Sequence, residues 1–267
     1  MSQYIHGSSQ DEQERLEIQH GLIGGKAFLP PLTAKMLVLD VGCGTGIVAR
    51  EISPSVELGK VIGIDIQEKQ INRAIQRANK EGLSNVKFQI GKARCLEFLD
   101  ETFDVVYCRF LLEHVSSPLS VIREMIRVTK QGGLIIACEC KVDCCSATMP
   151  SLPHVKSALN ALYKLQTMNG GNPHIGEKLG NLFQEAGLID IKEDILISSL
   201  ETPDQIKQYA MGGSRLLKAS ERELLKNGLL SQEALNQAYS EWEKFSVIPQ
   251  AKASFKLCRV QGIRPEK

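Results

Sequence analysis

The chain has 267 residues, which is enough for one large core and short for two independent domains. Its 32 basic and 31 acidic side chains give a formal net charge of +1, so it lacks the strongly basic character that nucleic-acid binding usually requires. No apolar run approaches the roughly 20 residues that span a bilayer, and the polar N-terminus has no signal-peptide pattern. We therefore expect a cytoplasmic protein with no nucleic-acid partner and no membrane span.

Short apolar runs alternate with helix-length periodic segments in the first half of the chain. The predicted strands are 36–41, 60–65, 86–90, 103–108 and 133–140. The predicted helices are 46–53, 67–81 and 118–130. Such alternation is typical of crossover units that build a parallel sheet covered on both faces. It predicts an α/β fold with a Rossmann-like, doubly wound sheet.

The pattern changes after residue 140. A helix is predicted over 174–187, a strand over 188–200 and a last strand over 251–262, whereas 202–246 is helical throughout. We expect a mostly parallel sheet with an antiparallel last strand plus a helical cap. The expected organisation is an N-terminal segment, 1–34, followed by one domain, 35–262, with cap insertions at 144–172 and 202–248.

Eight cysteines fall mostly inside apolar runs, where a reduced thiol behaves as a small buried side chain. The stretch CECKVDCC, residues 138–145, lacks the paired spacing and the second ligand cluster of a zinc site. We expect no metal.

A glycine-rich turn follows the first predicted strand in VLDVGCGTG, residues 38–46. The G-x-G-x-x-G pattern of a dinucleotide site would place glycine at position 47, where this chain has Ile47. Asp65 ends the second strand, where a carboxylate can accept both hydroxyls of a ribose, in a nicotinamide dinucleotide as well as in another adenosine-like nucleoside. Asp40 distinguishes between these two kinds of ligand, because a carboxylate beside the turn repels a pyrophosphate and suits ammonium and sulfonium charges. Asp40 can instead merely tie down turn amides.

Four stretches in order, VLDVGCGTG, GIDIQEKQINRA, FDVVYCRFLLEHVSSP and KQGGLIIACE, resemble the successive motifs of class I S-adenosylmethionine-dependent methyltransferases. The resemblance covers residues 35–142 strongly and is closest to the small-molecule, quinone-biosynthesis-like branch. It implies S-adenosyl-L-methionine as cofactor and S-adenosyl-L-homocysteine as product. It also implies that the segment 1–34 is a helical lid over the cofactor.

The family assigns cofactor contacts to the glycine turn and to the ends of the next strands. Along the turn, the implied contacts are Asp40, Gly42, Cys43, Gly44, Thr45 and Gly46. Asp65 would hold the ribose, and Ile66 would pack on the adenine. Lys92 stands where the family commonly has Asp or Asn, and lysine has no acceptor for the adenine amino group. The adenine is therefore expected to meet backbone groups at Ala93 and Arg94.

Further contacts are implied at the fourth strand and in the lid. The Cys108 carbonyl is a candidate for the amino group of the methionine portion. Arg109 either contacts that portion or ties down the neighbouring turn. In the lid, Tyr4 and Arg15 are implied contacts, although Tyr4 can equally belong to a disordered tail.

The expected reaction is in-line transfer of a methyl group to an O, N, S or C atom of a small, partly apolar metabolite or natural product. Alignment and exclusion of water are the main tasks of the protein, and a general base is optional. The candidate bases are Glu139, facing either the pocket or solvent, and His114, which alternatively has a structural role. An alternative function is that of a non-catalytic S-adenosylmethionine-binding regulatory or partner protein. A nicotinamide oxidoreductase is disfavoured by Ile47 and Asp40. The sequence is compatible with a monomer and with a homodimer.

Overall fold

The computed structural model of the protein describes residues 9–141 and 147–266. The helices are α1 Gln10–Leu22, α2 Ile47–Ile52, α3 Glu68–Lys80, α4 Pro118–Val128, α5 Pro153–Met168, α6 Leu179–Glu185, α7 Pro203–Lys226 and α8 Gln232–Phe245. The strands are β1 Leu37–Val41, β2 Lys60–Asp65, β3 Val86–Ile90, β4 Phe103–Arg109, β5 Thr129–Cys140, β6 Thr148–Met149, β7 Ile189–Leu200 and β8 Lys252–Ile263.

One sheet joins all of these strands. Its order is β3-β2-β1-β4-β5-β8-β6, and β7 also pairs with β8. The first five strands are parallel, whereas β8 runs antiparallel to β5, β6 and β7. The strand order reverses between β1 and β4, and ligands of open α/β sheets bind at the carboxyl ends of the strands at such a point. The predicted fold class and its antiparallel last strand are confirmed.

The two faces of the sheet bury separate apolar clusters. Along β1, the side chain of Val38 belongs to the cluster under α2 and the cap helices, whereas Leu39 and Val41 belong to the cluster under α4 and α6. This alternation follows from the two-residue period of a strand, and it leaves both faces of the central strands buried.

Three predicted helical segments differ from the structure in their extent. The helix predicted over 174–187 is a 3-10 turn, Ile175–Lys178, followed by the short α6, Leu179–Glu185. The helix predicted over 118–130 ends at Val128, because Thr129 already pairs with Phe103 and its hydroxyl donates to the Met125 carbonyl at 2.7 Å. The helical segment predicted over 202–246 is divided into α7 and α8. Gly228 has a φ of +63° at the break, and the Ser231 hydroxyl caps the first turn of α8.

Helices α5, α7 and α8 pack together above the sheet as a cap, and aromatic rings join this cap to β8. The Tyr209 ring meets the Trp242 ring edge to face with centroids 5.3 Å apart, and the Phe255 ring at 5.2 Å. Helix α1 packs on α7. Within the described residues, no helix combines the length and apolar character that crossing a membrane requires.

Candidate active site

A cavity of about 1090 Å³ opens at the carboxyl ends of β1, β2 and β4. Its walls include the glycine turn, α1, the loop after β4 and cap helices α5 and α7. Most of the predicted site residues line it: Arg15, Asp40, Gly42, Cys43, Gly44, Thr45, Asp65, Ile66, Lys92, Ala93, Arg94, Arg109 and His114. The structure thus brings residues from the N-terminal segment, four strand ends and the cap to one space.

The glycine turn is anchored to the end of β2 rather than to its own strand. The amides of Gly42 and Cys43 both donate to the Ile64 carbonyl at 2.8 Å, and the Gly44 amide donates to Asp65 Oδ2 at 2.9 Å. Gly46 does not line the cavity. Its φ is +71°, and a Cβ there would lie 2.4 Å from the Phe88 ring, so glycine is required for packing against the sheet.

Asp65 combines a structural role with an exposed acceptor edge. Its Oδ1 accepts from the Gln67 amide at 2.8 Å, while Oδ2 holds Gly44. Burial raises the pKa of Asp65, whereas the amides of Gln67 and Gly44 favour its charged form. Since each carboxylate oxygen can accept a second hydrogen bond, both remain able to receive donors from a ligand. Next to it, the Ile66 side chain is 61% exposed and offers the cavity a flat apolar surface.

Asp40 is a buried carboxyl on the cavity wall, with 4% of its surface exposed. It lies opposite Tyr107 in the parallel pairing of β1 with β4. Burial raises the pKa of Asp40 to about 7, although the Tyr107 hydroxyl and the Arg109 guanidinium favour the charged form. A positive charge brought into the cavity would therefore draw this carboxyl into its ionised state.

Arg109 lines the cavity and ties down the N-terminal segment rather than its neighbouring turn. One guanidinium nitrogen donates to the Gly25 carbonyl at 2.9 Å, and another lies 2.8 Å from His20 Nδ1. Its guanidinium also stacks over Phe28, 5.1 Å from the ring centroid. Sequence reasoning missed His20, because its partners are distant in the chain. Tyr107 was missed too. In the predicted strands 36–41 and 103–108, Asp40 and Tyr107 each occupy the position before the last, which could have indicated that they lie side by side.

Two buried polar side chains on the cavity wall have an unpaired oxygen. Thr45 Oγ1 and Gln70 Oε1 find no hydrogen-bond partner within residues 9–141 and 147–266. Thr45 is 1% and Gln70 2% exposed, so water does not compensate for the missing bonds. Both oxygens are suited to receive donors from a ligand. Gln70 lies in the first turn of α3, four residues after Ile66, and was not singled out in the sequence.

Lys92, Ala93 and Arg94 form a short turn on the far wall of the cavity, after β3. The Cys95 amide donates to the Lys92 carbonyl at 3.0 Å and closes this turn. The backbone of this turn is thereby fixed beside Ile66, on the side where the sequence predicts the adenine.

Glu139 requires a correction, because it neither faces the cavity nor reaches solvent. It is 0% exposed, and its Oε1 accepts from the amides of Leu111 at 3.0 Å and Leu112 at 2.8 Å. Burial raises the pKa of Glu139 well above its usual range, and the nearby Glu113 carboxylate adds to the shift. A neutral carboxyl that holds the loop after β4 is not placed to take a proton from a substrate.

Two other predicted contacts are not tested by the described side chains. The Cys108 side chain is fully buried within β4 and does not line the described cavity, whereas the next side chain, Arg109, does. The predicted contact of the Cys108 carbonyl with the amino group stays a prediction. Tyr4 lies outside the described residues. So do the last residues of CECKVDCC, and no group of metal ligands is found in the described parts of the chain.

His114 lies where the loop after β4 meets the cap. Its Nε2 is 3.3 Å from Glu113 Oε1, and its Nδ1 is 3.3 Å from the Gln166 amide nitrogen. Gln166 of α5 also donates to the Glu113 carbonyl at 2.9 Å. The imidazole is therefore held at the boundary between the strand ends and the cap. The cap side of the cavity is largely apolar, with Leu159, Leu162, Tyr163, Pro173 and Leu216 on its wall.

The sequence from residue 32 to residue 187 matches a family described as a methyltransferase domain. The chain belongs to this methyltransferase family. The uncharacterised methyltransferase YcgJ of Bacillus subtilis is 36% identical over 129 residues, which are 48% of this chain and 49% of that protein. A demethylmenaquinone methyltransferase of Lactococcus lactis is 34% identical over 128 residues, 48% of each chain. The chain thus spans about half the length of these curated relatives.

Solved structures share the methyltransferase fold over nearly the whole chain. The crystal structure of Bacillus subtilis YcgJ has a TM-score of 0.56 and 23% identity, covering 95% of this chain and 99% of that one. Haemonchus contortus phosphoethanolamine N-methyltransferase 2, in complex with phosphomonomethylethanolamine and S-adenosylhomocysteine, has a TM-score of 0.58 and 19% identity, covering 95% of this chain and 52% of that one. The resemblance drawn from the four sequence motifs is confirmed at the level of the family.

Proposed function

We propose that the protein is an S-adenosylmethionine-dependent methyltransferase that transfers a methyl group to an O, N, S or C atom of a small, partly apolar metabolite or natural product. One observation carries the proposal. Asp40 and Asp65 both line the cavity at the glycine turn, so the turn faces the ligand between two carboxyl groups. Asp65 suits the ribose of either ligand class, whereas Asp40 disfavours the phosphates of a dinucleotide and favours a nucleoside with a positively charged tail.

The residues present fit this cofactor. Asp65 has two oxygens able to receive the ribose hydroxyls, Ile66 offers a surface for the adenine, and the backbone at Ala93 and Arg94 faces the same region. At the other end, Asp40 suits the ammonium and sulfonium charges, and Arg109 suits the carboxylate. The buried Thr45 Oγ1 supports the fit, because a ligand donor would satisfy it.

The N-terminal segment, 1–34, acts as a lid in this proposal, and the insertions at 144–172 and 202–248 enclose the substrate. Support comes from α1, which contributes Arg15 and His20 to the cavity wall and packs on α7. Ion pairs join α1 to the neighbouring helices, between Glu17 and Arg77 of α3 at 3.0 Å and between Glu14 and Arg215 of α7 at 2.9 Å.

The cofactor supplies a methyl group that is already activated on a sulfonium centre. The protein's own residues orient the reactants and exclude water, which are the main requirements of an in-line displacement. Glu139 fixes the loop after β4, which forms part of the wall between the cofactor and substrate regions. Where the acceptor is a hydroxyl, His114 at the boundary with the cap is the side chain placed to take its proton.

The substrate class follows from the cap. Leucine and tyrosine side chains from α5 and α7 give the substrate region an apolar wall, and Gln166 and His114 supply its polar groups. A cavity of this size and lining suits a small, partly apolar molecule. The formal net charge of +1 further favours such a substrate over a nucleic acid.

Transfer of a labelled methyl group tests the proposal. The protein is incubated with methyl-labelled S-adenosylmethionine and a panel of phenols, amines, thiols and activated carbon acids, with extracts of cells as a further source of acceptors. We expect label in at least one small product together with equimolar S-adenosylhomocysteine. Binding of the cofactor without transfer to any acceptor would contradict the proposed enzymatic function and support a non-catalytic binding protein.

A further inference from the structure

His20 connects the N-terminal helix to the interior of the cavity wall. Its Nε2 is 2.8 Å from Glu51 Oε2 of α2, and its Nδ1 is 2.8 Å from a guanidinium nitrogen of Arg109 in β4. His20 as a whole residue is 9% exposed, and it lines the cavity. One buried imidazole therefore bridges three elements, α1, α2 and β4.

The two contacts fix the tautomer of His20. Arg109 has only donors, so Nδ1 must carry the lone pair, and Nε2 then carries the hydrogen that is donated to Glu51. Burial lowers the pKa of His20, as does the charge of Arg109, while the Glu51 carboxylate opposes the shift and Arg50 adds a smaller lowering. The ring is accordingly neutral at neutral pH and accepts the Arg109 hydrogen bond.

Arg109 is a cation whose hydrogen-bond partners are both neutral. They are His20 Nδ1 and the Gly25 carbonyl, and both belong to the N-terminal segment. Its planar faces meet Phe28 and Phe110 at 5.1 and 5.7 Å from the ring centroids. The charge of Asp40 acts on it, yet across the described residues Arg109 forms no ion pair within 4.0 Å. Of its five donors, those not used by these two acceptors stay available at the cavity wall.

We propose that His20 is a positioning residue: it holds Arg109 so that its spare donors receive the carboxylate of the amino-acid part of the cofactor. The inference rests on the proposed function, because it concerns how the same cofactor is recognised. Since both acceptors of Arg109 lie in the N-terminal segment, recognition of the carboxylate requires that segment to be docked.

The role of His20 goes beyond packing, because Asp40 competes for Arg109. Without the Nδ1 acceptor, the guanidinium gains by turning toward the Asp40 carboxyl, and the two groups then neutralise each other. With His20 in place, Arg109 stays available for a carboxylate and Asp40 for an ammonium group. His20 thus keeps apart the two charges that together recognise an amino acid.

Calorimetric titration with two cofactors isolates this effect. S-Adenosylmethionine carries the carboxylate, and decarboxylated S-adenosylmethionine lacks only that group while keeping its sulfonium and ammonium charges. The variants are His20→Phe, which has no acceptor, and His20→Asn, whose Oδ1 restores one. His154→Phe, at an exposed position on α5, is the matched control. Thermal unfolding checks that each variant is folded, and His20→Met replaces the phenylalanine if that variant is not.

The wild-type protein should bind S-adenosylmethionine at least about 10-fold more tightly than the decarboxylated form, since a charge-assisted pair with arginine is involved. His20→Phe should lose most of this preference by weakening only the carboxylate-bearing cofactor, while His20→Asn and His154→Phe should keep it. Equal affinities of the wild-type protein for both cofactors, or an equal change for both in His20→Phe, would overturn the inference and leave the proposed function standing. A wild-type protein that binds neither cofactor would overturn both.

Discussion

Asp65 accepts a hydrogen bond of 2.9 Å from the amide of Gly44, so the acid that ends β2 also holds the turn that follows β1. Its other oxygen accepts from the Gln67 amide at the start of α3. The residue proposed to bind the ribose therefore also shapes the turn proposed to contact the methionine part. Changes at Asp65 are expected to act on both ends of the cofactor.

Asp65→Ala should weaken S-adenosylhomocysteine binding by at least about 30-fold, because it removes two ribose contacts and releases the Gly44 amide. Asp65→Asn keeps one carbonyl oxygen and should have a smaller effect. Calorimetric titration measures both affinities, with Asp204→Ala on the exposed start of α7 as the matched control. An unchanged affinity in Asp65→Ala would refute the assignment.

The affinity for S-adenosylmethionine should fall as the pH drops through 7. The pKa of Asp40 is raised to about 7, chiefly by burial, so at lower pH the carboxyl holds a proton that a cationic ligand must displace. The decline approaches about tenfold per pH unit well below this pKa. Titrations between pH 6 and 8 check it.

Asp40→Asn and a neutral ligand provide the controls for this pH dependence. The variant should bind S-adenosylmethionine more weakly at pH 8 and with a flat profile. Binding of 5′-methylthioadenosine, which lacks the amino-acid part, should change little with pH in either protein. Equal pH profiles for wild type and variant would remove Asp40 from the cofactor site.

Asp40→Asn should also stabilise the folded protein at neutral pH. The folded-state pKa of Asp40, about 7, lies above the unfolded value near 3.9, so between these values the folded state binds a proton that the unfolded state does not. The contribution of Asp40 to stability therefore falls as the pH rises through this window. Asp40→Asn should raise the free energy of unfolding by about 1–4 kcal/mol at pH 8 relative to its effect at pH 4. Urea unfolding at both pH values measures the difference, and a substitution that changes stability equally at pH 8 and pH 4 would contradict the burial argument.

Substitution of Glu139 tests whether this residue is a catalytic base or only holds the loop after β4. Glu139→Gln keeps an oxygen for the Leu111 and Leu112 amides, so methyl transfer should stay within about threefold of the wild-type rate. Glu139→Ala leaves the buried Leu112 amide and the half-buried Leu111 amide unpaired and should destabilise the protein by about 2–4 kcal/mol. Faster hydrogen exchange at these two amides in Glu139→Ala locates the effect. Loss of activity in a stable Glu139→Gln would restore Glu139 as a base.

The fold followed from the sequence because its signals are local. Alternating strand and helix patterns predicted β1 to β5 to within a few residues, and the glycines of VLDVGCGTG marked the turn at the switch point. The break between α7 and α8 was missed, since leucines continue through Asn227 and Gly228 and the apolar pattern does not show it. The end of α4 at Val128 depends on pairing of Thr129 with Phe103, which the local sequence does not reveal.

Within the site, residues on strand ends were predictable and residues joined across the fold were not. Asp40 and Asp65 follow from their places after apolar runs. The contact between His20 and Arg109 joins positions 89 residues apart, and nothing near His20 in the polar sequence of α1 indicates it. The role of Glu139 likewise depends on amides 27 and 28 residues away, so its place late in an apolar strand indicated either the pocket or solvent and not the loop it holds.

The most direct test of the central claim is a calorimetric comparison of S-adenosylmethionine with NAD on the 267-residue chain. Asp65 predicts a ribose contact, and Asp40 favours a positively charged tail over a pyrophosphate. We therefore expect one S-adenosylmethionine to bind per chain, more weakly after Asp65→Ala, and no measurable binding of NAD. Tight binding of NAD, or absence of S-adenosylmethionine binding, would contradict the account.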